Sequence, residues 1–240
     1  MHILDWIYPP RCPLCGSVLA LNEKVHAACY KKLIWVREPR CKRCGKPLTT
    51  ANRDVNMLCQ DCLRTRHRHM LGYDQGRALW AYDGLAKESV IAFKYDGMKS
   101  YVDFYADEII RMQGDWIRRK RPQILIPIPL HGRKKRMRGF NQAELLAKAI
   151  SERTGIPTRS DILYRRKWTN PQKNVSGLDR RKNLAKSMAI RQLPEGINCV
   201  MLIDDIYTTG STMEVCARIL KQNGVKEVCF LTLCIGYGMG

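Results

Sequence analysis

No run of about eighteen or more uncharged apolar residues occurs in this chain, so the sequence offers no helix suited to crossing a bilayer. The opening segment up to Pro10 is short and lacks the basic residues that head a secretory leader, which predicts a cytosolic protein. Its apolar residues Ile3, Leu4, Trp6, Ile7 and Tyr8 read as a staple against a neighbouring module, with docking at the inner face of the membrane left open. Acidic residues are scarce. Against 22 Asp and Glu stand 42 Lys and Arg, and the formal charge of +20 focuses a positive field that attracts polyanions. The cations gather at residues 118–121, 133–138, 165–167 and 180–182, more than one small phosphorylated ligand needs, so nucleic acid is the expected partner. Disorder is excluded, because a 45% hydrophobic content supplies an ordinary core.

With no secretory leader, eleven cysteines favour metal or buried thiols over disulfides. Seven of the eleven precede residue 63, and this asymmetry divides the chain into a zinc-binding module at 1–69 and an α/β domain at 72–240. Four pairs carry a two-residue spacing: Cys12 with Cys15, His26 with Cys29, Cys41 with Cys44, and Cys59 with Cys62. That spacing lets one tight knuckle aim both ligands at one metal, and Gly16 and Gly45 follow where such a turn needs positive φ. Four thiolate or imidazole ligands complete a tetrahedral Zn²⁺ site, so two structural zinc ions are expected, in sequential ribbons rather than an interleaved cross-brace. His26 is the least certain of the eight. Cys199, Cys216, Cys229 and Cys234 are expected to be buried and inert.

Strands alternating with helices follow. Residues 85–95 read as a short helix, 101–118 as a longer one broken near Gly114, and 124–129 as a buried strand ending in a stiff proline turn. Residues 140–154 form an amphipathic helix that Asn141 caps and Gly155 closes. Residues 165–185 are polar and weakly patterned and read as a long functional loop. Residues 200–203 make a strand, 211–222 a helix, and 227–234 a last strand. The expectation is a parallel sheet flanked by helices.

The most informative stretch is Val200-Met-Leu-Ile-Asp-Asp-Ile-Tyr-Thr-Thr-Gly-Ser-Thr212. Asp204 and Asp205 stand at the carboxyl end of a buried strand, where open α/β sheets bind ligands. The amides of Thr208, Thr209, Gly210, Ser211 and Thr212 suit a phosphate monoester at a helix N-terminus, and the acidic pair suits sugar hydroxyls, directly or through Mg²⁺. A Walker A loop is excluded, since no lysine lies between Asp204 and Thr212, and Gly236-Tyr-Gly-Met-Gly240 opens no helix as a dinucleotide loop would.

With these residues the sequence resembles type I phosphoribosyltransferases and, more closely, the ComF family of competence proteins in its ComFC branch. The resemblance covers essentially the whole chain. It rests on the Cys pairs, Lys94-Tyr95, Ile126-Pro-Ile-Pro-Leu130, Arg138-Gly-Phe-Asn-Gln142, Thr169 with Gln172, Arg180 with Asn183, and the loop above. It implies a type I phosphoribosyltransferase-like domain that binds 5-phosphoribosyl-1-pyrophosphate (PRPP), fused to a zinc finger, in a late competence protein. Such a protein helps bring single-stranded DNA into the cytoplasm during natural transformation, with a partner helicase. By resemblance Asp204 and Asp205 contact the ribose and residues 208–212 hold the 5-phosphate. Lys94, Arg133 and Arg138 are candidates for the pyrophosphate or acceptor side, Lys94 the weakest because a lysine ending a helix is usually solvated. Arg165, Arg166, Lys167 and Trp168 are candidates for DNA contact. A transferase acting on an unidentified acceptor and a PRPP-sensing regulator stay open as alternatives.

Overall fold

The computed structural model describes residues 9–20, 22–49, 53–67, 72–166 and 186–236, with side chains of 65–67 left aside. Strands β1 (Gln75–Ala81), β2 (Ile124–Pro127), β5 (Cys199–Tyr207) and β6 (Glu227–Ile235) form a parallel sheet in the order β1-β6-β5-β2. The expected parallel α/β architecture is therefore present, behind the cysteine-rich ribbons. A short antiparallel ribbon of β3 (Leu163–Arg165) and β4 (Met188–Ile190) stands apart from the sheet. Two of these elements correct the sequence reading, which had no strand at 75–81 and took residue 165 as the start of a loop.

The helices are α1 (Ala27–Lys31), α2 (Gln60–His67), α3 (Gly84–Tyr95), α4 (Tyr101–Lys120), α5 (Gly132–Arg138), α6 (Gln142–Thr154) and α7 (Ser211–Gln222). Helix α6 starts where Asn141 accepts a hydrogen bond from the Ala143 amide at 3.2 Å and stops at Gly155, which takes the left-handed conformation. Gly114 does not break α4. The helix continues because Trp116 and Ile117 beyond it are buried, and that burial outweighs the roughly 1 kcal/mol that glycine costs a helix.

In β5, and through most of β6, successive residues alternate between two apolar layers. Met201, Ile203 and Leu231 face α3, α4 and α6, where Val90, Phe93, Tyr105, Ile109, Leu146 and Ile150 are buried. Val200, Leu202 and Phe230 face α7 and the β3–β4 ribbon, with Cys216, Leu220, Ile162 and Met188. Each layer also takes in one half of the cysteine-rich segment. Cys12, Leu14, Leu19 and Leu33 join the first, and Val36, Cys41, Cys44, Leu48, Cys59 and Cys62 join the second. Between the halves the chain runs along the outer edge of β1, with Val36 N donating to Leu79 O at 2.8 Å and Ala81 N to Ile34 O at 2.9 Å. The exposed edge of the sheet is thereby covered. Among the described residues, no helix is long and apolar enough to cross a membrane.

Candidate functional site

Among the described residues two clusters of Cys and His ligand atoms form, and they are sequential. In each of the sets Cys12, Cys15, His26, Cys29 and Cys41, Cys44, Cys59, Cys62, the ligand atoms all lie within 4.8 Å of one another. The knuckles form as the spacing requires: Gly16 N donates to Cys12 O at 2.8 Å and Gly45 N to Cys41 O at 3.0 Å, with both glycines at positive φ. The donor sets fit zinc. In the first, His26 brings Nδ1 to 3.4 Å from Cys15 Sγ while its Nε2 lies 3.1 Å from Val18 O, the second contact that fixes a ligand imidazole. The first set is partly exposed and the second is wholly buried. The four other cysteines belong to neither cluster. Burial pushes Cys199 up to about 11 and Cys216 and Cys229 up to about 12, and it raises Cys234 as well, so these thiols stay protonated. Cys199 is only half-buried, its thiol donating to Lys120 O at 3.3 Å.

The second site lies at the carboxyl ends of the strands. Strand β5 runs farther than residue 203, to Tyr207, so Asp204 and Asp205 belong to its last residues. Asp205 is buried and paired: Lys94 Nζ lies 3.0 Å from its Oδ1, and the two side chains are 16% and 11% exposed. Lys94, a candidate for the pyrophosphate or acceptor side, is therefore held in an ion pair rather than solvated as a lysine ending a helix usually is. It sits near the end of α3 and supplies the cation of the acidic pair. Asp204 accepts the Asp205 amide at 2.9 Å. Its surface is partly open, yet protein surrounds it, and that burial together with the charge of Asp205 pushes its carboxyl up to about 8.

The loop behind the pair ends at Gly210, which caps α7 in the left-handed conformation with no side-chain hydrogen bond. Thr209 Oγ1 accepts the Ser211 amide at a long 3.5 Å, Gly210 itself brings no capping side chain, and the helix dipole adds positive potential there. Thr208 and Thr209 are exposed, and Thr209 Oγ1 lies 3.0 Å from Ser211 Oγ. A Cβ at Gly210 would meet Tyr207 Oη at 2.3 Å, so any larger residue displaces the loop from behind.

Besides Lys94, Arg138 is the cation whose charge acts on Asp204. Arg138 donates to Gln142 Oε1 at 3.0 Å and Tyr95 Oη at 2.9 Å and stacks 4.6 Å from the Tyr95 ring. Its Nε is buried without a partner, as is Nε of Arg165 at the end of β3. Arg133 and Arg138 lie in helix α5, which His131 caps by accepting the Arg133 amide at its Nδ1, at 3.2 Å. Arg133, Lys134 and Arg136 are exposed and have no carboxylate partner among the described residues. Burial and then the charges of Arg165, Arg133, Lys134 and Arg136 lower the His131 pKa, so β3 and α5 share one positive field. Arg166 is exposed beside the half-buried Arg165. Lys167, Trp168, Thr169, Gln172, Arg180 and Asn183 lie outside the described residues, as does the apolar cluster of residues 3–8.

The sequence reading missed Tyr95 and Gln142 as the holders of Arg138, and Tyr73, Tyr207 and Glu214 beneath the loop. Tyr95 and Gln142 do stand in the two short motifs that carry the family resemblance, which is the signal that pointed to them.

A double zinc ribbon domain family matches residues 3–63. The chain is 30% identical over 230 residues to competence protein ComFC of Bacillus subtilis, covering 89% of each. It is 39% identical over 111 residues to competence protein F of Haemophilus influenzae, where the match spans 45% of this chain and 48% of that protein, about half its length. DNA utilization protein YhgH of Escherichia coli K12 is 32% identical over 113 residues, 47% of this chain and 49% of that one. Among solved structures, a purine phosphoribosyltransferase of Pyrococcus horikoshii aligns at 19% identity and a TM-score of 0.36, over 55% of this chain and 74% of that one.

Proposed function

We propose, since the chain belongs to the ComFC family of competence proteins, that it binds PRPP at residues 204–212 and handles single-stranded DNA entering the cytoplasm. The observation that carries the reading is the strand end itself: a carboxylate pair, Asp205 buried with its own lysine and Asp204 partly open, directly ahead of a helix N-terminus that starts on a glycine. Asp205, oriented by Lys94, accepts the ribose hydroxyls, with Asp204 beside it. The amides and hydroxyls of residues 208–212 hold the 5-phosphate. Arg138, Arg165 and the start of α5 face the pyrophosphate. Mg²⁺ reaches the site with the pyrophosphate, whose charge it offsets, because Asp205 already has a cation. Two zinc ions fold the ribbons. The cationic surface of α5, with Arg165 and Arg166, takes the DNA backbone, and the competence helicase and the cytoplasmic face of the membrane are the expected surroundings. The curated names support this placement, since relatives are called competence and DNA utilization proteins.

Calorimetry with PRPP and Mg²⁺ tests the reading, using Asp204→Asn/Asp205→Asn as the control that should abolish binding. Heat of binding that survives in that folded variant sinks the site assignment. Pyrophosphate release assayed with single-stranded DNA and with a panel of bases and amines separates the alternatives. Release means that the ribose C1–O bond to pyrophosphate breaks as a bond to an acceptor forms, which makes the protein a transferase. If PRPP instead alters DNA affinity without release, it is a PRPP-responsive regulator.

A further inference from the structure

The second ribbon touches the phosphate loop through a short chain of buried groups. Arg43 lies between the ligands Cys41 and Cys44. Its Nη2 donates to both carboxylate oxygens of Glu214 on the first turn of α7, at 3.2 and 2.9 Å, and the two side chains are 10% and 11% exposed. The same guanidinium stacks 4.2 Å from the ring of Tyr73. Tyr73 Oη lies 2.7 Å from Tyr207 Oη, and Tyr207 is the residue directly before Thr208. The Tyr207 ring stacks on Phe230 at 4.8 Å and 1°, and its hydroxyl is the surface against which Gly210 packs. On the other side, Arg43 O accepts the Gly76 amide at 2.6 Å, and Gly76 lies under the Phe230 ring, where a Cβ would meet it at 2.0 Å.

Phosphate-loop position is therefore fixed from below by a metal knuckle. Arg43 bonds Glu214 after the loop directly, and it stacks on Tyr73, whose hydroxyl bonds Tyr207 before the loop. A buried ion pair and paired hydroxyls have few alternative partners, so a shift at the knuckle moves the loop rather than dissipating. We propose that Arg43, Tyr73, Tyr207 and Glu214 are positioning residues that couple metal occupancy of the Cys41, Cys44, Cys59, Cys62 cluster to ligand binding at residues 208–212. The ligand half of this coupling rests on the PRPP reading above. Coupling between two sites is reciprocal, so metal tightens the ligand and the ligand tightens the metal by the same factor.

The experiment uses the full zinc-loaded chain and follows zinc transfer to a colorimetric chelator with and without saturating PRPP. One of the two zinc equivalents, that of the buried cluster, should leave at least about fivefold more slowly when PRPP is bound. Tyr73→Phe, which removes one oxygen, should keep the metal and the fold but lose that protection. Arg43→Met should lose it as well, with Arg43→Lys regaining part. Unchanged zinc release in a chain whose PRPP binding is measured directly overturns the coupling. If wild-type chain binds no PRPP, the functional reading fails on its own, and the coupling is then judged by amide hydrogen exchange across residues 207–212. Faster exchange there in zinc-loaded Tyr73→Phe upholds the coupling, and exchange equal to wild type overturns it.

Discussion

Lys94 and Asp205 carry opposite charges in a place that water scarcely reaches, so neither tolerates losing the other. Lys94→Met leaves a buried carboxylate uncompensated, which costs about 3–5 kcal/mol in typical cases. Adding Asp205→Asn should restore much of that loss, and denaturant titration of the two single variants and the double variant measures the difference. Strictly additive losses would mean the pair does not interact. Asp204 makes a different prediction. Its carboxyl, surrounded by protein and next to Asp205, with Lys94 and Arg138 acting in the opposite direction, titrates at about 8 when folded against 3.8 as the ordinary value. The folded chain thus keeps a proton that the unfolded chain releases, and stability present below about pH 4 is lost as pH rises toward 8. Asp204→Asn removes this penalty. Its melting temperature should exceed that of wild type at pH 7 and match it near pH 4; a variant less stable at both pH values would contradict the burial of Asp204.

Elements that signal themselves locally were legible in the sequence, and those defined by distant partners were not. Strand β5, its loop and α7 occupy one continuous stretch, and the knuckles at Cys12 and Cys41 are announced locally by Gly16 and Gly45. Strand β1 gave no such signal. Gly76 and Arg77 interrupt its apolar pattern, and the reason, a Phe230 ring lying over Gly76, is far away in sequence. The ribbon of β3 and β4 has three residues per strand and a long separation, too little for a period to show. Lys94 looked solvated for the same cause, since its partner belongs to another element. Helix α5 was hidden by its charge. Its exposed Arg133, Lys134 and Arg136 form a contiguous cationic face, which is the arrangement that a nucleic-acid backbone meets. Replacing all three with alanine should weaken single-stranded DNA binding and lower the slope of log affinity on log salt by about 2, roughly 0.7 for each lost phosphate contact. Fluorescence anisotropy across a salt series reads both quantities. An unchanged slope would move the DNA surface away from α5.

At the scale of the whole molecule, the ribbons and the sheet share their apolar layers, so metal and sheet stability belong to one balance. Cys41, Cys44, Cys59 and Cys62 pack in the same cluster as Leu202, Leu220 and Phe230, and Cys12 and Leu14 in the same cluster as Trp80 and Phe93. Buried cysteines in a small module supply little hydrophobic energy alone, and zinc binding would make up much of the remainder. Purified chain should contain close to two zinc ions. Their removal should be felt beyond residue 69, because each ribbon lies across one face of the sheet and the segment between the ribbons closes the edge of β1. Thermal unfolding followed by near-ultraviolet circular dichroism reports on Trp80, which is fully buried between Trp35 of the connecting segment and Phe104 of α4. The zinc-loaded chain should show one transition in which the far- and near-ultraviolet signals coincide. Chelated chain should lose the Trp80 signal at lower temperature and with it the cooperativity of the sheet. Two separate transitions, with the sheet signal untouched by chelation, would mean that residues 72–240 stand on a core of their own and that the ribbons are ornaments to it.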